Sequence, residues 1–206
     1  SFLMWYKTFR HDYFKSMMGI YAPKLKMLIE NILEIEANNP TGPAKHFVFT
    51  FSQGEQGGRG RSLFSSYGSR IVASAFAAYG DKFHVCLEYK KGKGKKYTLD
   101  TSAIPAGKMG VALLSSKSMA NQWKRSNDMG EVVEWTSNVK RATLDAVNAA
   151  NNRHGERIKV LIVDGAFVEG ISSEDHNIAH HLDVPISKSE LDQASSRVVR
   201  NCQSTH

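Results

Sequence analysis

The chain has 206 residues, 41% of them hydrophobic, with 27 Lys and Arg against 20 Asp and Glu and a formal net charge of +7. That length holds one large domain or two small ones with a sizeable core, and no internal repeat or low-complexity block appears. No apolar run approaches a membrane span and the first residues lack the charged-then-apolar pattern of a signal peptide, so an intracellular chain with no membrane contact is expected.

The positive balance favours a polyanionic partner, because each Lys or Arg that neutralises a phosphate releases a counterion. Cys86 and Cys202 stand far apart with no C-x-x-C partner, which points to two reduced thiols rather than a zinc site or a disulfide. His176 and His180 have metal-ligand spacing only on a helix, and residues 178–184 read as a strand, so no metal is expected there.

In chain order, the sequence opens at Ser1 on the aromatic-rich SFLMWYKTFRHDYF, and residues 1–21 read as a lead or linker whose aromatics suit docking on a neighbouring domain. Both this start and the end at His206 suggest a piece of a longer protein. Ala22-Pro23 then opens a helix with Leu25, Leu28, Ile29 and Ile32 on one side and Pro in its first turn. Residues 38–43, NNPTGP, form a loop. KHFVFTFS, residues 45–52, is a β-branched and aromatic strand. After it, QGEQGGRGRS (residues 53–62) is a glycine-rich loop leading into a helix over 63–79 that Gly80 stops. It has no G-K-[ST] and so is not a P-loop. Its backbone amides with Arg59 and Arg61 suit a phosphodiester, the plain alternative being a solvent loop.

YKKGKGKKY, between HVCLEY and YTLDT, predicts a β-hairpin over about 83–101 with a cationic tip that includes Lys93 and Lys95. A solvated lysine loop and a nucleic-acid contact both fit it. GVALLS, residues 110–115, is a short buried strand. Ser137 begins a helix with Val139, Ala142, Leu144, Ala146 and Val147 as its core face, ending at His154-Gly155. The apolar run 160–163 reads as a buried parallel strand that breaks at Asp164-Gly165, and residues 178–184 as the last strand. Ser189 caps a final helix on which Gln193, Arg197 and Arg200, at offsets of four and three, share one face. Paired guanidinium groups suit a phosphate chain, although two arginines on one helix face also commonly form surface ion pairs. Alternating strands and helices predict an α/β fold, a mostly parallel sheet covered on both faces.

Two stretches, KVLIVDGAFVEGISS (residues 159–173) and ELDQASSRVVRNC (residues 190–202), resemble motifs V and VI of superfamily 2 helicases, in the second, C-terminal RecA-like domain. Glu169-Gly170-Ile171-Ser172 fits motif V. Gln193-Ala-Ser-Ser196-Arg197-Val-Val-Arg200 matches Q-x-x-G-R-x-x-R except that Ser196 replaces glycine. KHFVFTFS resembles motif IV. The E-G-I-S form and the ending at Cys202 are most similar to helicases and transcription ATPases of large cytoplasmic DNA viruses, which implies host cytoplasm, host nucleus or virion as the location. Where that family has Ser or Thr ahead of motif V, Asp164 stands here, and a carboxylate repels a phosphate.

The resemblance implies a RecA-like fold with the lysine hairpin as an insertion over residues 22–206. It implies Arg197 and Arg200 as arginine fingers on ATP, and Gln193, Glu169, Gly170 and Ser172 at the nucleotide. Ser52, Gln53, Arg59, Arg61, Asp164, Gly165, Lys93 and Lys95 would meet the backbone of DNA or RNA. No Walker A lysine or D-E-x-D/H box is present, so ATP and its Mg2+ would be held by a preceding N-terminal RecA-like domain of the same protein, and this chain alone would be inactive. Two other readings are a non-catalytic RecA-like module that docks in transcription or genome-processing machinery, and a Rossmann-like enzyme such as a methyltransferase using VDGAF. The second is disfavoured because the best motifs lie at the end of the chain.

Overall fold

A computed structural model describes residues 9–39, 44–50, 68–92, 96–114, 137–164 and 177–182. In chain order the elements are α1 (His11–Tyr21), α2 (Pro23–Asn38), β1 (Lys45–Thr50), α3 (Ser69–Ala78), β2 (Phe83–Val85), β3 (Tyr89–Lys91), β4 (Tyr97–Leu99), β5 (Met109–Leu114), α4 (Ser137–Val147), a short 3-10 turn (Ala150–Asn152), β6 (Ile158–Asp164) and β7 (Asn177–His181). The strands predicted over 45–52, 110–115 and 178–184 and the helix over 63–79 thus appear with shifted ends, in part because residues 51–67, 115 and 183–184 lie outside the described set.

Five strands form one parallel sheet in the order β2-β5-β6-β1-β7. Alternation of side chains divides its core in two. Val48, Val111, Leu113, Val160 and Ile162 pack with Leu25, Ile29 and Ile32 of α2 and Val72 and Phe76 of α3. Phe47, Phe49, Ala112, Leu114, Leu161 and Val163 face the other way, toward Val147 of α4 and Leu99 of β4. This placement follows from handedness. The step from β1 to β2 runs one way across the sheet and the step from β5 to β6 runs the other, so right-handed crossovers put α3 and α4 on opposite faces.

Helix α2 is set by its pattern: Pro23 occupies the first turn, and Leu25, Leu28, Ile29 and Ile32 make the one buried stripe, as their spacing predicts. The stretch read as a lead is itself helical from His11. Met18 is fully buried in the same cluster as Leu25 and Phe76, with Phe14 packed against it, so α1 is part of the body of the fold. Lys15 reinforces it, its ammonium 4.3 Å from the centre of the Tyr79 ring and 3.5 Å from Asp81.

The lysine-rich hairpin is narrower than the predicted span. Phe83–Val85 pairs with β5 in the main sheet, and only Tyr89–Lys91 and Tyr97–Leu99 form the antiparallel pair. The pair is anchored on α4, where the buried Tyr89 hydroxyl and the Thr143 hydroxyl lie 2.7 Å apart.

Strand β6 departs from regular alternation at its start. Gly110 pairs with Ile158 but Val111 pairs with Val160, a β-bulge that leaves Lys159 extra. Ile158 and Val160 therefore point to opposite faces although they are two residues apart. Asn152 fixes this entry. Its amide donates to the carbonyls of Val147 (2.9 Å) and Ile158 (3.1 Å), and its oxygen accepts from the backbone N–H groups of Arg157 (2.8 Å) and Ile158 (2.7 Å). Lys45 Nζ donates to the same Val147 carbonyl at 3.2 Å, a cation at the C-terminal end of α4 where the helix dipole favours one.

Two substitutions test this corner. Asn152→Ala removes four bonds from a side chain only 1% exposed and is expected to lower unfolding stability by about 3 kcal/mol in denaturant titration, since each buried orphaned group carries a desolvation penalty. Gly110→Ala is expected to cost about 2 kcal/mol or more, because its Cβ would meet the Arg157 carbonyl that the Gly110 N–H binds at 2.9 Å.

Candidate functional site

In open parallel sheets, ligands bind beyond the carboxyl ends of the strands, at the point where the connections from two neighbouring strands diverge. Here that point lies between β1 and β6: the chain leaves β1 toward β2 at one edge and leaves β6 for β7 at the other. The two strands end on a register pair, Thr50 opposite Asp164. Thr50 is fully buried and its hydroxyl has no hydrogen-bond partner among the described residues. An unmatched buried hydroxyl is a costly thing to hold at a strand end, and it marks this rim as polar ground inside an apolar sheet.

Of the site residues expected from the sequence, Asp164 is the one within the described set, at the last position of β6. Ser52, Gln53, Arg59, Arg61, Gly165, Glu169, Gly170, Ser172, Gln193, Arg197 and Arg200 lie outside the described residues, as do Lys93 and Lys95. Their order in the chain relative to the strands is known. Ser52, Gln53, Arg59 and Arg61 follow the carboxyl end of β1, Gly165 to Ser172 follow that of β6, and Gln193 to Arg200 follow that of β7. These are three adjacent strands. Lys93 and Lys95 fall between β3 and β4. Their neighbour Lys90 is engaged locally, with Nζ 3.0 Å from Asp100 Oδ1 and donating to Ser102 Oγ at 2.8 Å, so that part of the lysine run's charge is balanced in place.

A second polar constellation was not read from the sequence. On the α2 face of the sheet, His46 of β1 is fully buried between two partners: its Nε2 lies 2.9 Å from Glu36 Oε1 and its Nδ1 2.8 Å from His180 Nε2. Glu36 in turn meets Lys159 Nζ at 2.8 Å through its other oxygen. Lys159 also donates to the His154 carbonyl at 3.2 Å. Lys159 reaches this face because the bulge breaks the alternation of β6. The chain of contacts joins α2, β1, β6 and β7.

The protonation of this chain follows from its geometry. With Glu36 ionised against Lys159, the carboxylate accepts from His46 Nε2–H, which leaves Nδ1 of a neutral His46 as an acceptor. His180 must then donate through Nε2–H. Burial lowers the pKa of His46, opposed by Glu36, and burial with the neighbouring His46 and His181 brings His180 down to about 4. The signals available in sequence were a lone His within KHFVFT and the His180-His181 pair in a strand, but nothing there announces that Glu36 and Lys159 share their space.

Other groups are inert or uncommitted. Cys86 is buried and its thiol is pushed up to about 12, mainly by desolvation, which favours the protonated thiol at neutral pH. Among the described residues no three His, Cys, Asp or Glu side chains converge on a possible metal position. No described helix is long and apolar enough to cross a membrane.

Thr50→Val is expected to leave stability unchanged or raise it by up to about 1 kcal/mol in thermal or denaturant unfolding, since it removes a hydroxyl that bonds nothing among the described residues; a loss above about 1 kcal/mol would show that the hydroxyl has a partner. The histidine pair fixes a pH trend as well. Both rings have folded pKa values below their ordinary 6.5, so the unfolded chain binds more protons in mild acid; stability should be level above about pH 6.5 and fall as pH drops toward 4, followed by unfolding midpoints. Comparison of the chain with protein-family models, curated proteins and solved structures finds no match.

Proposed function

We propose that this chain is the C-terminal RecA-like half of an ATP-dependent nucleic-acid helicase or translocase. The observation that carries the reading is topological. Three segments, residues 52–61, 165–172 and 193–200, continue from the carboxyl ends of β1, β6 and β7, three neighbouring strands at the divergence point of a parallel α/β sheet. The first follows KHFVFTFS (residues 45–52), which resembles motif IV, and the others resemble motifs V and VI. That the chain passes to these segments from neighbouring strand ends supports a single nucleotide-and-nucleic-acid site there.

In this reading ATP and Mg2+ are held by a preceding RecA-like domain, and Arg197 and Arg200 approach across the cleft to offset negative charge that builds on the γ-phosphate in the transition state. Gln193 senses the nucleotide, with Glu169, Gly170 and Ser172 beside it. Ser52, Gln53, Arg59, Arg61, Gly165 and the hairpin's Lys93 and Lys95 hold the DNA or RNA backbone, a grip indifferent to base sequence. Closure and reopening of the cleft converts hydrolysis into movement along the strand. Asp164 favours a second reading on a specific ground. A carboxylate at the end of β6, where a hydroxyl would bind phosphate, together with Ser196 in place of glycine, suits a non-catalytic RecA-like module docked in transcription or genome-processing machinery.

The two readings separate on one experiment in the full-length protein. Arg200→Ala is expected to reduce nucleic-acid-stimulated ATP hydrolysis by at least about a hundredfold while ATP binding, followed by a fluorescent analogue, changes little. Undiminished turnover would remove the finger assignment. Absence of stimulated turnover in the unaltered protein, with nucleic acid still bound, would favour the docking module.

A further inference from the structure

The polar chain from Lys159 to His180 lies on the α2 face of the sheet, and the inference drawn from it does not depend on the proposed helicase reading. Strand β7 is the outermost strand of the sheet among the described residues. It is held by its ladder to β1, by Leu182 N–H donating to the Phe49 carbonyl at 3.1 Å, and by the side-chain contact between His180 and His46. His181, its neighbour, points to the opposite face, where its ring stacks on Phe49 at 5.3 Å between centroids. Every other strand of the main sheet except β2 is gripped on both sides.

We propose that the Glu36–His46–His180 chain is a proton-sensitive latch on this edge strand: β7 is held shut when His46 Nδ1 carries no proton, and acidification opens it ahead of the rest of the sheet.

The chemistry follows from the atoms that face each other. With the Glu36 carboxylate accepting a hydrogen bond from His46 Nε2–H, Nδ1 of the neutral ring is left to accept from His180 Nε2–H. A first proton can enter at His180 Nδ1 and leave the His180-to-His46 bond intact. A second has to take His46 Nδ1 itself, which would set two N–H groups against each other across 2.8 Å. The charged surroundings oppose this second proton. Among the described residues Glu36 of α2 is the one anion facing the rings, and it is already shared with Lys159 of β6, whose ammonium sits 2.8 Å from it. His181 of β7 lies next in sequence, and Lys45 of β1 turns to the other face, toward the Val147 carbonyl. His46 has no exposed side-chain surface, so water does not soften the added charge. Opening β7 returns both rings to water, where imidazole takes up protons near its ordinary pKa of about 6.5. Opening is therefore coupled to uptake of up to two protons, about tenfold per pH unit for each.

Backbone amide exchange of the wild-type chain between pH 7 and 5, corrected for the intrinsic rate, reads this directly. Residues 178–182 should open with a dependence steeper than tenfold per pH unit while residues 160–163 of β6 change by less than threefold. His180→Gln keeps an Nε2–H donor for His46 but removes one titrating ring. It is expected to preserve pH 7 protection of residues 178–182 within about threefold and to reduce the acid opening at pH 5 to no more than tenfold per unit. Should that variant not fold, ring 15N shifts of the wild-type protein decide instead, with both His46 and His180 expected as Nε2–H tautomers at pH 7. The latch is overturned if His180→Gln opens in acid as the wild type does, if residues 160–163 and 178–182 loosen together, or if His46 carries its proton on Nδ1.

Discussion

Burial of β1 on both faces is the constraint from which the rest of this structure follows. Each of its six residues is buried, because α2 and α3 cover one side of the sheet and α4 with the β3–β4 pair covers the other. A strand in that position has no access to water, so any polar side chain on it must find its partners inside the protein. Strand β1 carries three. Lys45 turns to the C-terminal end of α4, His46 joins Glu36 and His180, and Thr50 finds no partner among the described residues. These three side chains divide the strand by role: the amino-terminal pair ties helices to the sheet, and the carboxyl-terminal one stands at the rim where ligands of such sheets bind.

The amino-terminal ties converge on the bulge of β6. Asn152 satisfies four backbone groups there, and the extra residue that the bulge admits, Lys159, is aimed across at Glu36. A partly buried ion pair such as Lys159–Glu36 contributes little net stability on its own, because desolvation offsets attraction. Its effect here is to hold the Glu36 carboxylate in place against His46 Nε2, and that contact decides the tautomer of His46 and, through it, that of His180. A defect in one strand's alternation thus sets the hydrogen-bond direction at the far edge of the sheet.

The carboxyl-terminal rim is arranged by chain order alone. Because β1 is placed between β6 and β7, the segments that follow the first, fourth and fifth strands of the main sheet leave from neighbouring positions although they are separated by more than a hundred residues in sequence. The function proposed above draws on that neighbourhood, and under it the stretches at residues 45–52, 159–173 and 190–202 are proposed to contribute to one site.

What the sequence by itself determined is the set of patterns that depend on near neighbours. The 3.6-residue stripe of Leu25, Leu28, Ile29 and Ile32 specified α2, the apolar runs specified β1, β5 and β6, and the glycine-broken lysine run marked where β3 ends and β4 has yet to begin. Only tertiary structure decided what depends on distant segments meeting. It assigned Phe83–Val85 to the main sheet rather than to the hairpin, because pairing with β5 is a matter of register across some 25 residues. It made the aromatic lead part of the core through Met18, a residue whose burial no local period announces. It also joined Glu36, His46, Lys159 and His180, four residues from four elements. No spacing rule relates them, since their proximity comes from strand order and from a bulge that turns one lysine to the face it would otherwise avoid.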